Sequence, residues 1–222
     1  MTTTSLTLTS RDGFEFGAVR IEPTGARLAG LILVQEIFGI NSHMLDAGRR
    51  FAAEGYEVLI PSMFDRQKPG FVREDHSPEA ITEGGGYARA NGLENAMADI
   101  DACIDALERP VFITGFCYGG SIAYLAACQL SGLAAASAFY GSLLPAFKDS
   151  EPRCPVIAHF GRDDAHIPME GVEAFIATRN DVPVHVYEAG HGFARQNSDD
   201  HHAASDALAF QRTLDLFSTT VR

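Results

Sequence analysis

Apolar and polar residues alternate at the start of the chain, and later segments are continuously apolar. Leu6 and Leu8 are spaced by threonines, Ser10-Arg11-Asp12-Gly13 is a turn signal, and Phe14 and Phe16 alternate with polar or small residues. That pattern predicts an antiparallel hairpin. From Ala29 to Val34 the run is unbroken by polar residues, as in a strand buried on both faces of a parallel sheet. Asn41 or Ser42 caps a predicted helix that runs to Glu54 and ends at Gly55. Tyr56 to Ile60 is the next strand, stopped by Pro61. The stretch from Pro61 to Asn91 holds Pro69, Gly70, Pro78 and Gly84-Gly85-Gly86. It reads as a long irregular excursion with one short helix, and such excursions in compact domains are often functional.

Regular patterning then returns. Leu93, Ala96, Met97, Ile100, Cys103, Ile104 and Leu107 fall at helical spacing, which makes Cys103 a core residue. Strands are predicted at Val111–Gly115, Ala134–Tyr140, Pro155–Phe160 and Val182–Tyr187. Helices are predicted at Tyr118–Leu130, around Val172–Arg179 and at Ala203–Phe217. Strands alternating with helices from residue 29 onward predict an α/β class. The expected sheet is mostly parallel and doubly wound, with an N-terminal antiparallel hairpin and helices on both faces, in a single domain over residues 1–222. Ligands of such sheets bind beyond the carboxyl ends of the strands.

Charge narrows the partners. With 17 basic against 29 acidic residues the net charge is -12, so neither a nucleic acid nor an anionic membrane is an expected partner. The N-terminal MTTTSLTLTS has neither the basic start nor the apolar core of a signal peptide. No apolar run approaches the ~20 residues of a membrane helix. A cytoplasmic monomer or small homo-oligomer is expected. Cys103, Cys117, Cys128 and Cys154 include no C-x-x-C pair, so free thiols are expected rather than a zinc ribbon or redox site.

The candidate chemistry sits at strand ends. Gly115-Phe116-Cys117-Tyr118-Gly119-Gly120 lies between a predicted strand and a predicted helix. A nucleophile elbow has the form G-x-S-x-G in that setting. Flanking glycines remove Cβ atoms from the turn, the helix N-terminus favours a thiolate, and the Tyr118 N–H can bind an oxyanion. Asp163 or Asp164, after the strand ending at Phe160, can supply an acid. His191, between Gly190 and Gly192, can project from a loop into a cleft. The order nucleophile, acid, histidine is that of the α/β-hydrolase fold. It assigns attack to Cys117, proton transfer to His191 and orientation of the imidazole to an aspartate. Gln35-Glu36-Ile37-Phe38-Gly39 leaves the buried strand where a second oxyanion donor, the Ile37 N–H, belongs. Glu36 there is desolvated, with a raised pKa, unless partnered. The Cys117 thiol and a neighbouring arginine are the two candidate partners.

Two other classes compete with this reading. Asp163, Asp164, His166, His191, His201 and His202 invite a metal-dependent hydrolase. They contain no H-x-x-x-H helical pair, and His201 and His202, adjacent on one predicted helix, point in different directions. A non-catalytic binding protein would have lost one of the three reactive groups, and here all three are present. Neither a metal nor another cofactor is expected.

With these motifs in view, the chain resembles the dienelactone hydrolase (carboxymethylenebutenolidase) family from about residue 10 to residue 218. The resemblance rests on Gln35 to Gly39, the G-x-C-x-G-G segment and Ala189-Gly190-His191 through Arg195. It implies opening of a dienelactone ring to maleylacetate, as in chlorinated-aromatic breakdown, by a Cys117–Asp164–His191 triad through an acyl-enzyme. Asp164 is chosen over Asp163 because the family's aspartate lies four residues before a proline, here Pro168. The resemblance further implies that Glu36 helps deprotonate Cys117 when substrate arrives. It implies that Arg195 binds a substrate carboxylate, and that Tyr87 and Tyr140 line the pocket. The chain departs from the family pattern at Glu83, where a second substrate arginine is expected, and has no tryptophan. Arg73 and Arg89 are the candidate replacements. A carboxylesterase or lactonase of the same family, acting on a different small ester or lactone, is the alternative activity.

Overall fold

The computed structural model describes residues 1–196 and 198–220. Eight strands form one sheet: β1 (Thr3–Thr9), β2 (Glu15–Ile21), β3 (Ala29–Val34), β4 (Tyr56–Pro61), β5 (Val111–Phe116), β6 (Leu133–Phe139), β7 (Val156–Gly161) and β8 (Val184–Tyr187). Their order is β1-β2-β4-β3-β5-β6-β7-β8. β1, β2 and β4 pair antiparallel, and every other neighbouring pair is parallel. The predicted hairpin and doubly wound sheet are both present. β3, β5 and β7 are buried at every position, as expected of strands covered on both faces.

Among the described residues five α-helices cover the sheet: α1 (Ser42–Ala53), α2 (Pro78–Asp105), α3 (Tyr118–Gln129), α4 (Met169–Thr178) and α5 (Ala203–Thr220). α1 starts where Asn41 accepts the Met44 N–H. α1 and α5 share one face, joined by Phe51 on Phe210 and by an Arg50–Asp206 ion pair of 2.7 Å. Phe217 of α5 stacks on Phe112 of β5 at 4.4 Å between ring centroids. Cys103 is fully buried, as its spacing predicts.

Two details correct the sequence reading. The excursion after β4 closes into a full helical segment, because α2 begins at Pro78 with Ser77 capping the Ala80 N–H and proline in the first turn. It breaks only at Gly92, where φ is 68°. Of the three glycines, Gly84 is required, because it lies against the Ile37 carbonyl, where a Cβ has no room. His201 and His202 precede α5 rather than lying on it. There His201 Nε2 pairs with Asp206 at 3.0 Å and His202 Nδ1 with the Ser205 hydroxyl at 2.7 Å.

Topology sets the place of the site. From β3 the chain passes to β4 on one side, then crosses back to β5 on the other. Glu36 leaves β3 and Cys117 leaves β5 at that reversal, the crevice where sheets of this kind take ligands.

Candidate active site

Cys117 connects β5 to α3 with φ 54° and ψ -114°. A side chain at positive φ is strained and persists only where its surroundings enforce it. The enforcement is backbone packing. A Cβ on Gly119 would collide with the Val34 carbonyl and lie 2.6 Å from the Gln35 oxygen, and one on Gly115 would lie 2.5 Å from the Gly119 carbonyl carbon. The Cys117 N–H donates to the Phe139 carbonyl at 3.0 Å, and the Cys117 carbonyl accepts from the Ser121 N–H at 3.1 Å. Tyr118 is the first helical residue, so its N–H has no acceptor within the helix.

Asp164 follows β7 with its side chain wholly buried. Its Oδ1 accepts the N–H groups of His166 at 2.8 Å and Ile167 at 3.2 Å. Its Oδ2 accepts from His191 Nδ1 at 2.7 Å. A carboxylate accepts only, so Nδ1 carries the proton and Nε2 is left for the nucleophile. Burial works against the imidazolium, yet hydrogen bonds to Asp164 and to Cys117 outweigh it and lift the His191 pKa to about 10. The Tyr140 ring lies 5.0 Å from the imidazole on one side and the His166 ring 5.0 Å on another. Asp163 is exposed.

Glu36 is buried, and of its two candidate partners it has the arginine. Arg195 donates from Nε to Oε2 at 3.0 Å and from Nη2 to Oε1 at 2.9 Å, a bidentate pair, while its Nη1 donates to Asp200 at 2.7 Å. Burial pushes the Glu36 pKa up, but the Arg195 charge overcomes it and holds the carboxyl below its ordinary value. The raised pKa expected of an unpartnered Glu36 is therefore not found.

A cavity of about 840 Å³ opens over these groups. Cys117, Tyr118, His191, Ile37 and Arg195 all line it, so both oxyanion candidates border the same space as the thiol. Tyr87 and Tyr140 do not form its wall. Tyr87 packs on Phe64 and Phe71 and donates to Glu83 at 3.2 Å, one helical turn away. Tyr140 is fully buried beneath His191. Of the candidate replacement arginines, Arg73 pairs with Asp75 and Glu83, and Arg89 lines the cavity. Sequence reasoning missed His76, Ser142 and Leu143 on the wall. They stand on loops whose placement no periodicity reports. Among the described residues no group of His, Cys, Asp and Glu is arranged to hold a metal ion, and no helix is long and apolar enough to cross a membrane.

The family model for the dienelactone hydrolase family matches residues 16–221. The chain belongs to the dienelactone hydrolase family. A carboxymethylenebutenolidase of Pseudomonas putida is 31% identical over 231 residues, covering 98% of this chain and 97% of its own. A candidate dienelactone hydrolase from Klebsiella pneumoniae superposes with a TM-score of 0.83 at 29% identity, over 98% of this chain and 99% of that one. A Pyrococcus furiosus esterase superposes with a TM-score of 0.72 at 14% identity, covering 100% of this chain and 94% of that one, and so shares the fold. This member of the dienelactone hydrolase family is therefore an ester or lactone hydrolase with the α/β-hydrolase fold.

Proposed function

We propose that the protein opens small lactones or esters through Cys117, His191 and Asp164, with dienelactone to maleylacetate the leading reaction. The observation that carries this reading is His191, hydrogen-bonded to buried Asp164 through Nδ1 and lining the same cavity as Cys117. The Cys117 thiolate attacks the carbonyl carbon. The carbonyl electron pair moves to oxygen, and the N–H groups of Ile37 and Tyr118 receive that oxyanion. Collapse breaks the C–O bond, and His191 protonates the departing oxygen. The resulting thioester is attacked by water, which gives its proton to His191. The product leaves as the acid and Cys117 is restored.

Glu36 and Arg195 act as a unit beside this step. A substrate carboxylate that takes up Arg195 displaces Glu36 from it, and the released carboxylate becomes a base for the Cys117 proton. That role requires Arg195 to exchange one carboxylate for another. Tyr140 supports His191 from below. Tyr87 acts on the substrate at one remove, through the Phe64 and Phe71 packing behind the wall. The reaction needs no cofactor and a cytoplasmic setting suits its free thiol.

Alkylation tests the nucleophile cleanly. Burial raises the thiols of Cys128 and Cys154 to about 11 and lifts that of Cys103 still further. Iodoacetamide at neutral pH therefore modifies Cys117 first. Hydrolysis of cis- and trans-dienelactone and of p-nitrophenyl acetate is measured before and after alkylation, and in Cys117→Ser. Turnover should fall by about a thousandfold or more in both cases. Activity that survives both treatments rejects the thiol mechanism. Ester turnover without dienelactone turnover retains the mechanism and selects the carboxylesterase alternative.

A further inference from the structure

Building on that reading, we propose a second class of substrate for the same site, beside small lactones. It consists of neutral esters with an apolar chain of medium length, which lies along the first half of α2 while Cys117 attacks the carbonyl. Ile81, Gly85, Ala88, Arg89 and Gly92 all line the cavity. Their spacing places them on one stripe of α2. From residue 81 to the break at Gly92 that stripe runs about 16 Å, at roughly 1.5 Å per residue.

The wall is apolar, and the fold leaves it uncovered. Ile37, Phe38, Ile81, Ala88, Leu93 and Leu143 all line the cavity. Phe38 is buried, but Ile37, Ala88, Leu93 and Leu143 stay partly exposed, and Ile81 is 44% exposed. One exposed apolar side chain is ordinary, whereas several around one concave surface mark a place that takes up apolar matter. Polar groups on the wall are engaged elsewhere. The Ser121 hydroxyl accepts the Leu143 N–H at 3.1 Å, and Arg195 is held by Glu36 and Asp200. Arg89 is exposed, so its charge stays in water.

Glycine keeps that wall low. Gly85 has no positive φ, and a Cβ there would meet only the end of the Arg89 side chain, at 3.4 Å. Neither backbone nor packing requires glycine at 85, unlike Gly84, and its effect is room on the cavity side. At about 840 Å³ the cavity lies well into the range of roughly 300–1,000 Å³ that takes drug-sized ligands. A small monocyclic lactone leaves much of it unfilled, and a hexyl or octyl chain covers the exposed side chains. The chemistry is unchanged. The thiolate forms a thioester with the acyl group, the alcohol leaves with a proton from His191, and water then releases the acid and the thiol.

Two measurements test the assignment. The first is kcat/KM along p-nitrophenyl acetate, butyrate, hexanoate and octanoate, and along the acetates of ethanol, butanol and hexanol. The two series place the chain on the acyl or on the alcohol side. One of them should rise about threefold per added methylene before it levels off, since each buried methylene favours binding. Gly85→Leu should flatten that rise. Gly86→Leu, the same change one residue away and off the cavity wall, should leave it as in wild type. Leucine is the better helix former, so both variants should keep the fold, as circular dichroism checks. The second is calorimetric binding of octanamide against acetamide to Cys117→Ser, which requires no turnover. Octanamide should bind at least about tenfold tighter, and Gly85→Leu should remove that advantage. Two flat series with equal binding of the two amides, or a rise that Gly85→Leu leaves intact, overturn the proposal while Cys117-dependent turnover of the acetate stands. Turnover that survives in Cys117→Ser refutes the catalytic reading instead, and octanamide binding lost in Gly85→Leu then still upholds the apolar pocket.

Discussion

Cys117 and Arg89 border one cavity and are held by unlike means. Around Cys117 the contacts are backbone on backbone: Gly119 lies against the Val34 and Gln35 carbonyls, Gly120 against that of Phe139, and the Cys117 N–H is bonded to Phe139. Asp164 is locked by two N–H groups and one imidazole. Around Arg89 the first half of α2 is held by side-chain packing of Tyr87 on Phe64 and Phe71, by one close glycine contact at Ile37 and by partly exposed ion pairs through Glu83. The first arrangement tolerates almost no displacement, since packed interiors resist even small changes of volume. The second can shift at low cost, because exposed pairs contribute about 0–1 kcal/mol each. The proposed triad thus sits in the rigid part, and the α2 wall of the cavity lies in the compliant part.

Removing the Asp164 charge strikes the rigid part hardest. Asp164→Asn should lower kcat by about 10³–10⁴ by spoiling the imidazole tautomer, with the fold retained; a loss under tenfold in steady-state assays would remove Asp164 from its role. Gly119→Ala should cost about 3 kcal/mol or more, read from the urea midpoint, because the colliding atoms are backbone.

Acid probes the same half of the sheet differently. His159 is fully buried among Tyr187, Thr213, His185 and Arg212, and burial holds its pKa well below the ordinary value. The folded protein therefore keeps it neutral, and the unfolded chain binds the proton below about pH 6.5. Stability should fall as pH drops below that point, by up to about 1.4 kcal/mol per pH unit from this residue. His159→Gln should flatten that part of the melting-temperature profile, and an unchanged slope would assign it elsewhere.

The compliant part should yield smaller numbers. Gly84→Ala should cost about 1 kcal/mol by urea titration despite an equally close carbonyl, because the helix can move away. It should also depress kcat/KM through the Ile37 loop. A cost matching that of Gly119→Ala would abolish the distinction between the two parts. Lys68→Met, which breaks an exposed pair with Glu83, should change stability by less than about 0.5 kcal/mol.

The sequence carried the rigid part more fully than the compliant one. Cys117 and His191 stand among glycines at strand ends, and chain order puts an acid between them, but the choice of Asp164 over Asp163 came only from the family resemblance. β3 and β5 are legible because burial on both faces leaves no polar position. The Glu36–Arg195 pair joins residues 159 apart, and no spacing rule spans that distance. It surfaced only as one of two possible partners for a buried carboxylate. The first half of α2 was hidden by its three glycines, whose helix propensity is poor. Packing against Ile37 and the Ser77 cap prevail over that propensity. Tyr87 was expected at the pocket from the resemblance alone, and its hydrogen bond to Glu83 one helical turn away was not legible, because the glycines concealed that helix.

The break at Gly92 has a consequence for descent as well as for mechanics. It separates a helical half that borders the cavity, Pro78 to Asn91, from a half that carries the buried Ile100, Cys103 and Ile104. A lineage can therefore rewrite the residues at 81, 85, 88 and 89 by ordinary drift while inheriting the hydrolytic apparatus intact. New substrates become accessible by changes in a single short segment, and a library confined to those four positions samples the same route in the laboratory.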